Sequence, residues 1–187
     1  RMLEQDRGLI EKIVAEGKKL CASLDKAAQD GEPVMVDVLT TRAAVSVILY
    51  FLFGRELQFD AEALRDSAKD LMECLMVAVF TLGFGLWKQI PGTHSHGIEE
   101  RKLRAWKTVD DVVAAEIAVL LEEQAGTRPV SSERKPGSVI ASLIANEPRF
   151  RQGGVDSMIA EARVFVQAGF ETTAHSLAFS FGMMAER

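Results

Sequence analysis

The residues of this chain whose types and spacing could do chemistry lie together near its end, in the stretch AGFETTAH that begins at Ala168. This stretch lies inside a long apolar segment that is typical of a buried helix. On a helix, the carboxylate of Glu171 and the hydroxyl of Thr172 lie about one turn beyond Ala168. A polar patch therefore follows a shallow stretch of helix surface.

Three of these residues suggest how such a patch could work. Gly costs about 1 kcal/mol relative to Ala inside a helix, so Gly169 indicates that something approaches the backbone closely. Thr172 can bond back to the carbonyl of Ala168 and loosen the turn. Glu171 could relay protons to a water or small oxygen ligand held there. An alternative stays open, in which Gly169 only permits helix packing and Glu171 is a solvated charge.

Composition limits the classes of protein. The 187 residues suit one domain, and 48% apolar with 26% charged residues indicates a globular chain. The net charge of −5 argues against nucleic acid as a partner, because phosphate binding needs a basic surface. The two cysteines, Cys21 and Cys74, do not make a disulfide framework, and both are expected to be small buried residues.

The elements that position the stretch are predicted to be almost entirely helical, which gives an all-α fold of about six helices. Apolar residues at helical spacing predict an inward face on the first helix, and Gly and Pro predict where the later helices end. The expected first-helix face comprises Ile10, Ile13, Val14, Gly17, Leu20, Cys21 and Leu24. A short extended segment is expected at 34–38, followed by a second helix that is capped by Asp37 or Thr40 and ends near Gly54. Further helices are expected from Ala61 to about Phe80, Glu99 to Gln124, Val139 to Asn146, and Gly154 or Val155 to the end. The inward faces include Leu64, Ala68 and Met72 on the third helix, and Leu103, Trp106, Val113, Ile117 and Leu120 on the fourth.

The ends of the chain predict a truncated domain. The first residue is Arg1 rather than Met, and no capping signal follows the last helix before Arg187. Residues 1–187 are therefore expected to be a single domain cut at both ends. No apolar run is expected to reach the roughly 18 residues of a membrane span, so any membrane anchor would precede Arg1.

The stretch from Ala168 to Thr173 resembles the A/G-G-x-D/E-T-T/S motif of the long central helix of the cytochrome P-450 haem-thiolate monooxygenases. Three further segments are similar to that family and occur in the same order along the chain. They are Leu52-Phe53-Gly54-Arg55, Leu86 to Gly92, and Ser138 to Ile144. Only the first motif is specific, although the resemblance covers essentially the whole chain.

The resemblance implies the mainly α portion of that fold, without the haem-Cys loop and most of the β structure. It implies that Glu171 and Thr172 are catalytic, with Thr172 bonding the bound oxygen or a water and Glu171 feeding protons toward it. Residues implied to border the haem are Ala168, Gly169, Thr172 and Thr173. Residues implied to face the substrate are Val164, Gln167 and Ala168.

The resemblance also implies a thiolate-ligated haem, with electrons that come ultimately from NAD(P)H through a reductase or ferredoxin-type partner. Neither Cys21 nor Cys74 has the family's F-x-x-G-x-x-x-C-x-G surroundings, so no metal ligand is predicted in this chain, and thiolate binding of haem by residues 1–187 alone is not expected. The substrates would be O₂ and an organic, lipophilic molecule. The expected location is the cytosolic face of the endoplasmic reticulum in a eukaryote, with the cytoplasm or mitochondrion as alternatives.

Other polar groups are expected to be structural. The pair His94 and His96 is expected in a solvated loop, and Glu171 with His175 has the wrong spacing for a helical di-iron site. The basic residues Arg101, Lys102, Arg104 and Lys107 are expected on a solvated helix face. The leading interpretation is a monooxygenase; the alternative is a non-enzymatic, all-helical binding or interaction module.

Overall fold

A computed structural model of the chain describes residues 2–82, 95–132, 134 and 138–186. These residues form seven helices and contain no strand, which confirms the all-α prediction. The helices are α1 (Met2–Asp30), α2 (Val36–Phe53), α3 (Ala61–Leu82), α4 (Ser95–Gln124), α5 (Val139–Asn146), α6 (Pro148–Gln152) and α7 (Gly154–Ala185). The predicted segment Leu86 to Gly92 and His94 lie outside the described residues, as does the side chain of His96.

Helix α2 ends where it was predicted to end but begins differently. Gly54 has φ 74° and donates its N–H to the carbonyl of Tyr50 at 2.8 Å, a left-handed ending that favours Gly. Residues 36–38 are already helical, so the predicted extended segment is shorter than expected. Neither Asp37 nor Thr40 is the cap: Asp37 accepts from the N–H of Val38 at 2.9 Å, and Thr40 donates to the carbonyl of Asp37 at 3.2 Å.

The short helix α6 was not predicted, because Pro148 was taken only as the end of the preceding helix. Proline also suits the first turn of a new helix, where its missing N–H costs nothing. The Glu147 side chain accepts from the N–H of Arg149 at 3.4 Å, and Phe150 is buried. A capped turn therefore connects α5 to α7.

The core lies around α2, which packs against α1, α3, α5 and α7. Helix α4 presents buried residues to it at intervals of three to four, and these include the predicted Val113, Ile117 and Leu120. Leu103, also predicted to face inward, is exposed instead. The buried row of α4 passes through Ala105 and Val109, which places Leu103 on the opposite side of the helix.

The predicted inward face of α1 is wrong for several residues. Ile10, Ile13, Val14 and Cys21 are exposed, and Lys12 and Glu16 are buried although they were not predicted to be. Leu20 was predicted to face inward and is buried. Lys12 Nζ lies 2.8 Å from Glu16 and 2.6 Å from Glu56, across the gap to the segment after α2. These ion pairs let the charged row face inward, because a buried charge is tolerated when it is paired.

Among the described residues, one helix, α2, is long and apolar enough to cross a membrane by length and composition. The expectation that no run reaches this length was therefore wrong. In this fold α2 contacts four other helices, and eight of its residues are buried. Its apolar composition is accounted for by its place at the centre of the core.

Candidate functional site

The motif lies in the middle of α7, and one buried row of that helix sets the direction of every motif side chain. The row repeats every four residues and packs against the core through Met158, Ala162, Val166, Phe170 and Ala174. Successive residues of a helix are turned by about 100°. Glu171 and Gly169 therefore lie on either side of this row, while Ala168 and Thr172 point away from it.

The outward row contains three predicted site residues. Val164, Ala168 and Thr172 follow one another at intervals of four, and all three are exposed. Thr172 Oγ1 donates to the carbonyl of Ala168 at 2.8 Å, the back-bond that the sequence predicted. The helix therefore presents a shallow surface with one hydroxyl at its end.

Back-bonding continues beyond Thr172. The hydroxyl of Thr173 donates to the carbonyl of Gly169 at 2.9 Å, and Ser176 and Ser180 each donate to the carbonyl four residues earlier at 2.8 Å. His175 Nδ1 lies 2.8 Å from the carbonyl of Glu171 in the same pattern. Several carbonyls of α7 thus have a side-chain partner as well as the helical N–H.

Gly169 packs against α2. A Cβ at this position would lie 2.6 Å from Cδ1 and 2.7 Å from Cγ1 of Ile48, closer than side chains approach one another. The missing side chain therefore lets α7 approach α2, as the packing alternative suggested. A contact between Gly169 and a cofactor remains a prediction, and so does a cofactor contact of Thr173, which is exposed.

Glu171 is not a solvated charge. Its Oε1 is buried and has no hydrogen-bond partner among the described residues. Burial raises the pKa of this carboxyl above its ordinary value, against the opposing effects of the His175 charge and a hydrogen bond with the Gln167 side chain. The group is therefore easier to protonate than an exposed glutamate.

A cavity of about 900 Å³ opens beside Glu171, between α2, α3 and α7. Its apolar lining includes Met72, which was predicted to be buried on α3 but is half exposed here. Thr172 and His175 line it together with Glu171. The other polar residues of the lining are Asp37, Thr40, Thr41, Arg65, Asp66 and Lys69.

The charged groups on the α2 and α3 sides of the cavity are partly paired. Arg65 lies 2.7 Å from Asp66 and 3.4 Å from Asp37, so one guanidinium faces two carboxylates. Lys69 adds a second cation. Sequence reasoning treated Asp37 as a cap, and His175 as half of a metal pair and as part of the segment that follows the motif. The i,i+4 spacing of Glu171 and His175 was the signal that both lie on the same side of the helix, and both line the cavity.

No cluster of three His, Cys, Asp or Glu side chains within the described part of the chain could hold a metal ion. Cys21 is exposed on α1, whose main packing partner is α2. The side chain of Cys74 lies outside the described residues. What the site offers is thus an acid, a hydroxyl and an imidazole around an open cavity.

Comparison with known proteins identifies the family of the chain. The family model for cytochrome P-450 matches residues 1–187, the full length of the chain. No curated protein and no solved structure matches it significantly. With an Ala-Gly-x-Glu-Thr-Thr motif on the 32-residue helix α7, and a family match that covers every residue, this chain belongs to the cytochrome P-450 family of haem-dependent monooxygenases.

Proposed function

We propose that this chain forms the oxygen-handling side of an enzyme that inserts one atom of O₂ into an organic, lipophilic substrate. The observation that carries the proposal is the Glu171 carboxyl group, whose Oε1 is buried without a partner beside an open cavity. Burying a polar group without a hydrogen bond costs free energy. Because this cost is accepted beside Thr172, we expect the Glu171 carboxyl group to have a role in the chemistry of the site.

The residues present fit a haem on the outward row of α7. Ala168 and Thr172 are small and exposed, so a flat group can lie against them without a clash with larger side chains. When bound, the haem supplies the oxygen chemistry, and the family resemblance favours a thiolate ligand that assists O–O cleavage. Electrons would come ultimately from NAD(P)H through a reductase or ferredoxin-type protein.

Glu171 and Thr172 have different roles in proton transfer. The Thr172 hydroxyl has one proton, which it donates to Ala168, and lone pairs that still accept. Glu171, with its raised pKa, can hold a proton that an exposed carboxylate would lose. A proton can therefore pass from Glu171 to the Thr172 oxygen, directly or through one water, while the Thr172 hydroxyl turns away from the Ala168 carbonyl and gives its own proton to a water on the outward row.

The predicted substrate contacts separate into two groups. Val164 and Ala168 are exposed on the same row as Thr172, which suits a wall of the substrate pocket. Gln167 lies one turn before Glu171 on the adjacent row, and its side chain acts to lower the pKa of the Glu171 carboxyl. We infer that Gln167 orients the acid and contributes less to substrate binding than its neighbours.

The experiment replaces Glu171 in the haem-containing protein. Glu171→Gln keeps the shape but carries no transferable acid proton, so the rate of product formation should fall about 100-fold, within the usual contribution of a general acid. Glu171→Asp should retain part of the rate. Glu161→Gln, an exposed glutamate on the same helix, is the control. A rate unchanged in Glu171→Gln would contradict the assigned role.

A further inference from the structure

One row of α7 carries three polar side chains to the cavity side. Gln167, Glu171 and His175 are spaced by four residues, and the latter two line the cavity. Glu171 is the inner member, since its Oε1 is buried, and His175 is exposed. The row therefore leads from solvent to a buried carboxyl group.

The contact of His175 with the backbone fixes the proton on its ring. Nδ1 lies 2.8 Å from the carbonyl oxygen of Glu171, and a carbonyl only accepts hydrogen bonds. Nδ1 must therefore carry a proton in this arrangement. Nε2 is then the ring atom that can take up or release a further proton.

The other charged side chains that line the cavity add no net formal charge beside Glu171 and His175. Asp37 comes from α2, and Arg65, Asp66 and Lys69 come from α3. Two carboxylates and two cations cancel in formal charge, and Arg65 is held by both acids. The charge of His175 is what opposes the effect of burial on Glu171 most strongly.

We infer that His175 supplies the proton that Glu171 holds, by transfer through a water of the cavity. The N–H bond at Nε2 of the imidazolium breaks, and an O–H bond forms on the Glu171 carboxylate. The neutral imidazole keeps its Nδ1 proton and takes a new one at Nε2 from solvent. This inference rests on the proposed function, and because His175 acts through Glu171 it is a positioning residue rather than a catalytic one.

The first test measures the charge of Glu171 rather than turnover. In the haem-containing protein with carbon-13 glutamate, the infrared band of the protonated carboxyl is followed against pH and assigned by its loss in Glu171→Gln. His175→Gln should move the Glu171 titration to higher pH, because the opposing positive charge is gone. Ser180→Ala, which removes an equivalent back-bond further along α7, should leave it in place.

The second test separates charge from proton transfer. His175→Gln should slow product formation and change its dependence on pH, because the proton-carrying imidazole is gone. His175→Lys restores a positive charge, but an ammonium group holds its proton far more tightly than an imidazolium does, so it should restore the Glu171 titration and not the rate. His175 is exposed, so these variants should fold, and circular dichroism checks that they do.

The outcomes are distinct. If the titration and pH profile are unchanged in His175→Gln while Glu171→Gln is impaired, the role of His175 is overturned and the proposed function stands. A shifted titration with an unchanged rate overturns the proton transfer. If Glu171→Gln is fully active, the proposed role of Glu171 is contradicted, and the role of His175 that depends on it is contradicted too.

Discussion

Gly169 of α7 and Ile48 of α2 fit together so closely that a Cβ on Gly169 would lie 2.6 Å from Ile48 Cδ1. This contact joins the two helices at the motif itself. It explains the Gly of the motif by packing in this chain, without reference to a ligand. Glu171, two residues later, lines the cavity that α2 helps to form.

Gly169→Ala should destabilise the chain despite the better helix propensity of Ala. The propensity gain is about 1 kcal/mol, and overpacking in a fitted core typically costs 1–3 kcal/mol, so a net loss of up to about 2 kcal/mol is expected. Denaturant unfolding measures it. In an Ile48→Ala background the clash is gone, and the same substitution should stabilise.

A second glycine of α7 provides the matched control. A Cβ on Gly182 would meet nothing within 4 Å. Gly182→Ala should therefore stabilise by up to about 1 kcal/mol. Equal effects at positions 169 and 182 would show that the Ile48 contact does not constrain the helix.

The raised pKa of Glu171 makes a prediction for stability against pH. Burial favours the neutral carboxyl, so the ionised group weakens the folded state at neutral pH. Glu171→Gln should raise the free energy of unfolding at pH 7. The gain should shrink as the pH falls through the folded-state pKa, and it should vanish below the ordinary glutamate value, where both side chains are neutral.

Chemical denaturation of the two proteins at several pH values measures this difference. Glu161→Gln on the same helix should change stability by less than about 0.5 kcal/mol, because Glu161 is exposed. A Glu171→Gln protein that is no more stable than the wild type at pH 7 would rule out a desolvated carboxylate.

Arg134 fixes the loop between α4 and α5 to two buried acids. It lies 2.7 Å from Glu116 and 2.9 Å from Glu123, and all three side chains are at most 5% exposed. Arg134→Ala should cost about 3–5 kcal/mol, because it removes one partner from a buried ion pair. In the same loop, Arg128→Ala should cost less than about 1 kcal/mol, since Arg128 and its partner Glu122 are exposed.

The stability from this cluster should depend on pH. Burial alone would raise the pKa of Glu123, but its bonds with Arg134 and the Ser131 N–H lower it overall. A lowered pKa gives stability that is present above the ordinary glutamate value and lost as the pH falls through the folded-state value. The difference between wild type and Arg134→Ala should therefore narrow in acid; a constant difference in unfolding free energy would count against the pairing.

Much of the fold follows from local signals. Helix α5 was predicted with its observed bounds, and the end of α2 at Gly54 and the start of α7 at Gly154 were also correct, because Gly marks these places directly. The inward face of α1 was wrong because Lys12 finds Glu56 far along the chain. Periodicity shows that a helix has two faces, but not which of them gains a distant partner.

The local features of the candidate site were predicted from the sequence, but the features that depend on helix packing were not. The back-bond of Thr172 to Ala168 is local to one helix, and the sequence predicted it correctly. The cavity depends on how α2 and α3 pack against α7. The sequence therefore did not indicate that Asp37, Arg65 and Lys69 lie around the same cavity as Glu171. The packing of Gly169 against Ile48 could be offered only as an alternative for the same reason.

The most direct test of the central claim, that Glu171 and Thr172 deliver protons during oxygen activation, is the ratio of hydrogen peroxide to product for Thr172→Ala in the haem-containing protein. The account predicts continued O₂ consumption with most of it released as peroxide, while Ser180→Ala, which loses a similar back-bond, stays coupled. A Thr172→Ala protein that forms product as efficiently per O₂ as the wild type would contradict it.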